Sequence, residues 1–298
     1  MSYHRPVLLQ ACIDGLSIKA GGVYVDVTYG GGGHSALILE NLENGKLVAF
    51  DQDPDAADNL PDDERLLFIN QNFRYMKNFL KLHGAIPVDG ILADLGISSW
   101  QINQPERGFS TRFQGPLDMR MDRQSTLSAK EVVNTYEREE LKNIFKLYGE
   151  LKNAHRIALE IEFHRKVEAI ETTEQLKQVL QKLAPRGKEN KFFAQVFQAL
   201  RIEVNNELDV LKDFLRQSTE VLKPGGRLVV IAYHSLEDRL VKNFFRAGNF
   251  EGEQEKDFFG NVITPLKPIG KLIVPDKMEQ DDNPRSRSAK LRIAEKIV

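Results

Sequence analysis

Cysteine is nearly missing from this chain of 298 residues: Cys12 is the only one. That excludes an internal disulfide and any metal cluster built from cysteine alone. The six histidines are scattered, without His-x-x-x-His or paired Cys/His spacing, so no zinc site is expected. Long hydrophobic runs are missing too. The longest, Leu228 to Ala232, falls far short of the ~20 residues that cross a bilayer. The opening Met-Ser-Tyr-His-Arg-Pro lacks the basic-then-apolar order of a secretory signal. A cytoplasmic protein with no membrane partner is expected. Nor is there an excess of charge: 41 Lys and Arg stand against 43 Asp and Glu, a net charge of −2. No whole-molecule field draws this chain onto a polyanion, so any nucleic-acid contact has to come from a local patch. Internal repeats and low-complexity tracts are also absent.

What is present has the composition of an ordinary globular protein, 41% hydrophobic and 28% charged. The first part reads as strand–loop–helix units. Val23–Thr28, Lys46–Asp51, Leu66–Ile69 and Gly90–Leu95 are short, apolar and largely β-branched, and are expected as strands. Helical stretches from Ala36 to Leu42, Asp55 to Leu60 and about Tyr75 to His83 separate them. Such alternation implies a parallel sheet covered by helices on both faces. The pattern then stops. Gln101 to Met121 is rich in Gly, Pro, Arg and Asp and reads as an ordered loop; from Ser128, a candidate cap, to about Leu222 helices dominate, broken at Pro185-Arg-Gly187. Leu141, Ile144, Phe145 and Tyr148 recur on one helical face. The sheet resumes at Gly226–Tyr233. A helix capped by Ser235 then runs through Phe245, and two last strands are expected near Val262–Leu266 and Ser288–Ala294. The expected fold class is α/β: a doubly wound, mostly parallel sheet interrupted by an inserted all-helical domain. The boundaries read as a core at 1–103, a loop and helical insertion for substrate recognition at 104–203, and the rest of the core at 204–298.

The run Gly30-Gly31-Gly32-Gly33 follows the first strand. Glycines there let backbone approach a ligand and expose amide groups at a helix N-terminus. Alone the run is ambiguous, because Gly31, Gly33 and Ala36 also satisfy the dinucleotide pattern G-x-G-x-x-A. Two acidic neighbours favour S-adenosylmethionine over NAD. Asp26 precedes the glycines, where a carboxylate suits an ammonium group and repels a pyrophosphate. Asp51, with Asp53 as near alternative, ends the second strand, where it can accept both ribose hydroxyls. His34 reads equally as a loop-stabilising donor and as a cofactor contact. Asp94 ends the fourth strand, facing the crevice or capping the turn after it, and the polar cluster Tyr233-His-Ser235 ends the strand expected beside it.

Assembled, these residues resemble the RsmH (MraW) family of bacterial ribosomal RNA methyltransferases. The likeness runs through His4-Arg-Pro-Val-Leu-Leu9, Gly30-Gly-Gly-Gly-His-Ser35, Asp51-Gln-Asp-Pro54, Asp94-Leu-Gly-Ile-Ser-Ser99 and Glu106-Arg-Gly-Phe-Ser110. It continues through Gly115–Asp122, Phe197–Ile202 with Asn205, His234–Arg239 and Asn283–Ser288. The resemblance implies a class I (Rossmann-like) methyltransferase core with an inserted helical domain. It implies methylation of the exocyclic N4 of a cytidine in the decoding region of 16S ribosomal RNA, within the small ribosomal subunit. By the same resemblance, cofactor contacts fall on Gly32, Gly33, His34, Asp51, Phe73, Asp94 and Gln101. Phe73 reads equally as a core ring. This chain departs from the family in having Trp100 before Gln101, where proline is common, and Tyr233 where phenylalanine is usual.

Cytosine N4 is a poor nucleophile, since its lone pair is delocalised into the ring. A hydrogen-bond acceptor at its N–H favours the geometry that frees the pair, and the proton must then leave. Asp94 is the first candidate for that acceptor, with Ser98 and His234 behind it. The base has to be unstacked, and flipped bases are held by rings or arginine planes. Trp100, Phe109 and Phe113, among Arg107, Arg112, Arg120 and Arg123, form the expected RNA-facing loop; its alternative is a loop folded on the helical insertion. Arg285, Arg287, Lys290 and Arg292 are candidates for phosphate contacts. The rival readings are an NAD oxidoreductase, an RNA-binding module with a vestigial loop, and a methyltransferase acting on DNA, protein or a small molecule.

Overall fold

A computed structural model describes residues 6–297, so His4 and Arg5 of the expected opening motif lie outside the described residues. The strands are β1 (Val23–Asp26), β2 (Lys46–Phe50), β3 (Leu66–Ile69), β4 (Val88–Asp94), β5 (Leu222–Ala232), β6 (Leu266–Ile273) and β7 (Lys290–Lys296). They form one sheet in the order β3-β2-β1-β4-β5-β7-β6. All neighbours through β5 pair in parallel, while β7 runs antiparallel to both β5 and β6. The doubly wound, mostly parallel α/β sheet is therefore present. Its strand order reverses between β1 and β4, the place where such sheets hold their ligands.

The strands are apolar throughout because both faces are covered, and period-two alternation sorts their side chains. Val25, Val48, Phe50, Ile91, Ala93, Leu228 and Val230 point to one face. There they pack with α3 (Met76–Leu82), α10 (Glu207–Val221) and α11 (Ser235–Ala247). Tyr24, Leu47, Leu92, Val229 and Ile231 point to the other, against α1 (Leu9–Leu16) and α2 (Gly33–Glu40).

The chain divides into two compact units, one of residues up to Gly96 and from Leu208, the other Ile97–Glu207. The second unit is helical: α4 (Ser99–Asn103), α5 (Ala129–Thr135), α6 (Arg138–Leu147), α7 (Ala154–Arg165), α8 (Thr173–Leu180) and α9 (Glu189–Asn205). Its own core contains Val132, Leu141, Ile144, Phe145, Ile157, Ile161, Leu176, Val196 and Leu200. Ser128 caps α5 in a reciprocal box with Glu131, and Thr172 does the same for α8 with Gln175. Composition puts the edges of the insertion at 104 and 203; the compact unit runs from 97 to 207. The last helix, α12, spans Lys277–Asp282.

Several local expectations are corrected. The segment expected as a helix at 55–60 is a 3-10 turn, Pro54–Asn59, because Pro61 disfavours α geometry just before it. The loop expected from Gln101 to Met121 contains the end of α4 and a 3-10 turn at Pro105–Arg107. The strand expected near 262–266 begins at Leu266: Asp257 holds a tight turn through the amides of Phe259 and Asn261, so pairing starts beyond it. As an edge strand, β6 tolerates Pro268. The cap of α11 is His234 and not Ser235. Its Nδ1 accepts from the Glu237 amide at 3.4 Å, while the Glu237 carboxylate accepts from the backbone of Tyr233 (2.9 Å) and His234 (3.4 Å). An accepting Nδ1 puts the ring proton on Nε2, which lies 3.2 Å from Glu237 Oε1.

His234→Ala is expected to cost about 1 kcal/mol by removing the cap, a fall of roughly 2–4 °C in Tm. His234→Asn, which can still cap, should hold most of that stability. Equal melting temperatures for the alanine variant and the parent would show that the cap is not what His234 contributes.

Candidate functional site

The first three parallel strands about the reversal each end on an aspartate, or one residue before it: Asp26 closes β1, Asp51 follows β2 and Asp94 closes β4. Parallel register makes this a matter of backbone pairing. Asp26 lies opposite Ala49 on one side and Leu92 on the other, so both neighbouring carboxylates stand within two residues of its level. Among the described residues, no lysine or arginine pairs with any of the three. Each is therefore desolvated beside like charge, and burial is the first cause of a raised pKa in all of them.

Asp26 is 1% exposed. Its Oδ2 accepts from Ser35 Oγ at 2.7 Å and its Oδ1 from the Thr28 amide at 3.0 Å and the Thr28 hydroxyl at 3.4 Å. Burial pushes its carboxyl up, against the pull of His34 and these donors. Such a group braces the loop from beneath. Thr28 also accepts the Asp94 amide at 2.7 Å, tying β1 to the end of β4. Ser35 and Thr28 were not anticipated; Ser35 stands on α2 nine residues after its partner, a spacing with no sequence signature.

Asp51 is oriented differently. Oδ2 accepts from the Gly30 amide at 2.7 Å and Oδ1 from the Asp53 amide at 2.9 Å. Burial raises its pKa to about 6, with Asp53 and Asp26 adding like-charge repulsion to the hydrogen bonds' opposing effect. Asp53 itself, 4% exposed, caps the following 3-10 turn through the Asp55 amide. Of the two acids, Asp51 is half-buried and Asp53 is buried.

The glycine loop passes between these acids. Gly32 has φ +76°, and a Cβ there would stand 2.5 Å from the Tyr29 hydroxyl; at Gly33 it would meet Pro6 Cγ at 2.3 Å. Only glycine fits either place. The loop leads directly into α2, whose first amides face the sheet edge. His34 is 6% exposed, with Nε2 3.1 Å from the Val7 carbonyl. A carbonyl only accepts, so Nε2 carries the proton. Nδ1 stands 3.8 Å from Asp94 Oδ2, beyond a hydrogen bond and within ion-pair reach when the ring is doubly protonated.

Asp94 is more open than Asp26, with 23% of its side chain accessible. Its pKa is raised to about 6, first by burial and then by Asp26 and Glu237, against the opposing pull of His34 and a hydrogen bond from Tyr233. Phe73 is half-buried and packs edge-to-face on Phe214 of α10 at 5.4 Å, which matches the core reading open for it.

The remaining candidates lie in the helical unit or at the C-terminal strand. Ser98 caps α4: its hydroxyl accepts from the Gln101 amide, and Gln101 Oε1 accepts from the Ser98 amide, both at 3.1 Å. Trp100 and Phe113 are exposed, at 56% and 42%. Arg107 is expected in an RNA-facing loop, and the structure buries it. It is 3% exposed and donates to the carbonyls of Arg120 and Met121, with its guanidinium over the Phe109 ring, so it is a strut inside the loop. Arg120 is likewise turned inward, in a two-point pair with Asp118 at 2.9 and 2.6 Å, beside a cleft of about 570 Å³. Arg287 is exposed and Arg285 half-buried, while Lys290 and Arg292 both bind Asp238, at 2.9 and 2.7 Å. Among the described residues, no helix is long and apolar enough to cross a membrane.

The match to known proteins covers the chain. A model of the MraW methylase family matches residues 1–297. The ribosomal RNA small subunit methyltransferase H of Flavobacterium johnsoniae is 60% identical over 298 residues, 100% of this chain and 99% of that protein. The protein of the same name from Bacteroides thetaiotaomicron is 55% identical, covering 99% of this chain and 98% of its own length. Among solved structures, an rRNA methylase from Streptococcus thermophilus aligns over 100% of this chain and 99% of its own, at 12% identity and a TM-score of 0.44, a likeness too distant to bear on the site. A sheet reversing beside a glycine loop and three carboxylates thus sits in a chain matched over nearly its whole length, and that chain belongs to the MraW methylase family of S-adenosylmethionine-dependent methyltransferases.

Proposed function

We propose that this protein transfers a methyl group from S-adenosylmethionine to the exocyclic N4 of a cytidine in 16S ribosomal RNA, acting on the small ribosomal subunit in the cytoplasm. The observation that carries the reading is the set of three desolvated carboxylates around the glycine loop, with no lysine or arginine paired to them among the described residues. Such a set suits a ligand that brings cationic groups and hydroxyl donors, and repels a pyrophosphate, which argues against NAD. The acceptor rests on the relatives' printed names for the ribosomal RNA and on the family resemblance for N4.

When bound, the cofactor supplies an activated methyl on a sulfonium. The chain's own task is then positioning. Asp51 accepts the ribose hydroxyls while its other contacts hold it to Gly30 and Asp53. Gly32 and Gly33 let backbone come close, and His34 sets the loop against Asp94. Phe73 and Gln101 are the further cofactor contacts that the family resemblance implies. Asp26, saturated by Ser35 and Thr28, supports the loop rather than touching the ligand. Asp94 accepts the N4–H of the target base and, ionised at neutral pH, can take the proton that leaves. His234 and Ser98, each committed to a helix cap, do not take that role. The exposed Trp100, Phe113 and Arg287 suit contact with an unstacked base and phosphates. Arg107 and Arg120 keep the loop in shape, and Arg285 stands beside Arg287.

Asp94→Asn should lower methyl transfer to small subunits lacking the mark by roughly 10²-fold or more at saturating donor. Labelled donor and mapping of the modified nucleotide measure this; native-rate transfer by the variant, or label on another base atom, would refute the assignment. Asp51→Ala should weaken S-adenosylmethionine binding roughly tenfold to a hundredfold in calorimetry, the loss of hydrogen bonds to a charged acceptor. The binding should also depend on pH. With folded-state values near 6, Asp51 and Asp94 take up protons as pH falls through 6, so affinity declines there and not near 4. A pH-independent affinity between 7.5 and 5 would contradict this.

A further inference from the structure

Tyr233 follows β5, and the parallel register sets Ile231 opposite Asp94, so the tyrosine lies just past the end of β4. Its hydroxyl donates to Asp94 Oδ1 at 2.8 Å. Its backbone amide donates to Glu237 Oε2 at 2.9 Å, inside the capping box of α11. The ring is in van der Waals contact range of Gly96, where a Cβ would meet Cδ2 at 3.6 Å. Both ends of the residue are therefore held, one by a helix cap and one by a carboxylate.

We infer that Tyr233 is a positioning residue for methyl transfer: its phenol fixes one oxygen of Asp94 and thereby turns the other, Oδ2, into the acceptor presented to the target amine. The inference rests on the reading of Asp94 as that acceptor. A carboxylate free to rotate about its last bond would offer either oxygen, in a broad range of orientations. With Oδ1 engaged, the rotation is arrested and Oδ2 is left on the side of His34 Nδ1, 3.8 Å away. A phenol donor also favours the ionised carboxyl, opposing the burial that pushes Asp94 up. The phenol stays protonated for this purpose, since burial and the neighbouring Asp94 hold its own ionisation well above the ordinary range. The other titratable groups facing Asp94 are His34 on α2, Asp26 on β1, Glu237 on α11 and Cys12 on α1, and all are left in place by a change at 233.

Tyr233→Phe removes only the hydroxyl. The acid limb of the methyl-transfer rate should move up by about one pH unit, giving a loss of roughly fivefold near pH 6 that approaches tenfold below pH 5 and vanishes above pH 8. KM for the donor should change little above pH 8, where Asp94 is ionised in both proteins. The same variant in the apo protein, with ¹³C-carboxyl NMR of Asp94, should show the aspartate titrating at higher pH, a readout that needs no catalysis. A tyrosine serving only as packing would move neither. An unshifted Asp94 titration overturns the role of Tyr233 while leaving Asp94→Asn to judge the acceptor separately. A shifted titration with an unmoved rate profile sinks the assignment of Asp94 itself, and Tyr233's catalytic part with it.

Discussion

Parallel pairing of β1 between β2 and β4 is the constraint from which the rest of this site follows. It sets the ends of three adjacent strands at nearly one level, and each of those ends carries an aspartate. Three carboxylates on one desolvated edge repel one another and are costly to ionise. The structure offsets this without a lysine or arginine among the described residues. Backbone amides of the glycine loop and the Asp53 turn serve Asp51, the hydroxyls of Ser35 and Thr28 serve Asp26, and the phenol of Tyr233 serves Asp94. What stays unbalanced is the charge itself, and a cationic ligand is what such an edge lacks.

The same donors that steady the acids also shape the loop. Gly30 gives its amide to Asp51, Ser35 on α2 its hydroxyl to Asp26, and Thr28 both donates to Asp26 and accepts from Asp94. Moving one acid thus disturbs the others. Reacting groups held this way are preorganised, which matters more than intrinsic reactivity when the methyl arrives already activated. The cap of α11 belongs to this arrangement too, because Glu237 closes the cap and fixes the backbone of Tyr233.

In the helical unit, arginines expected in an RNA-facing loop are used on the protein itself. Arg107 is buried against carbonyls, and Arg120 is folded onto Asp118. A loop rich in Gly and Pro has few internal backbone pairs, and guanidinium donors satisfy the carbonyls that a helix or strand would have satisfied. Trp100 and Phe113 of the same unit stay exposed instead.

Much of this was legible from residue order. Hydrophobic periodicity and turn chemistry determined four of the parallel strands nearly to the residue, the helical interruption, the glycine loop and the acids beside it, because those signals are local and set by backbone geometry. Folding alone decided which side chains are spent on the protein. His234 and Ser98 went to helix caps, Asp26 to bracing and Arg107 to a strut, while Tyr233 was joined to Asp94 across 139 residues. A hydrogen-bond partner that distant leaves no trace in spacing. Only the register between β4 and β5 brings donor and acceptor together, and register is a property of the sheet and not of either strand.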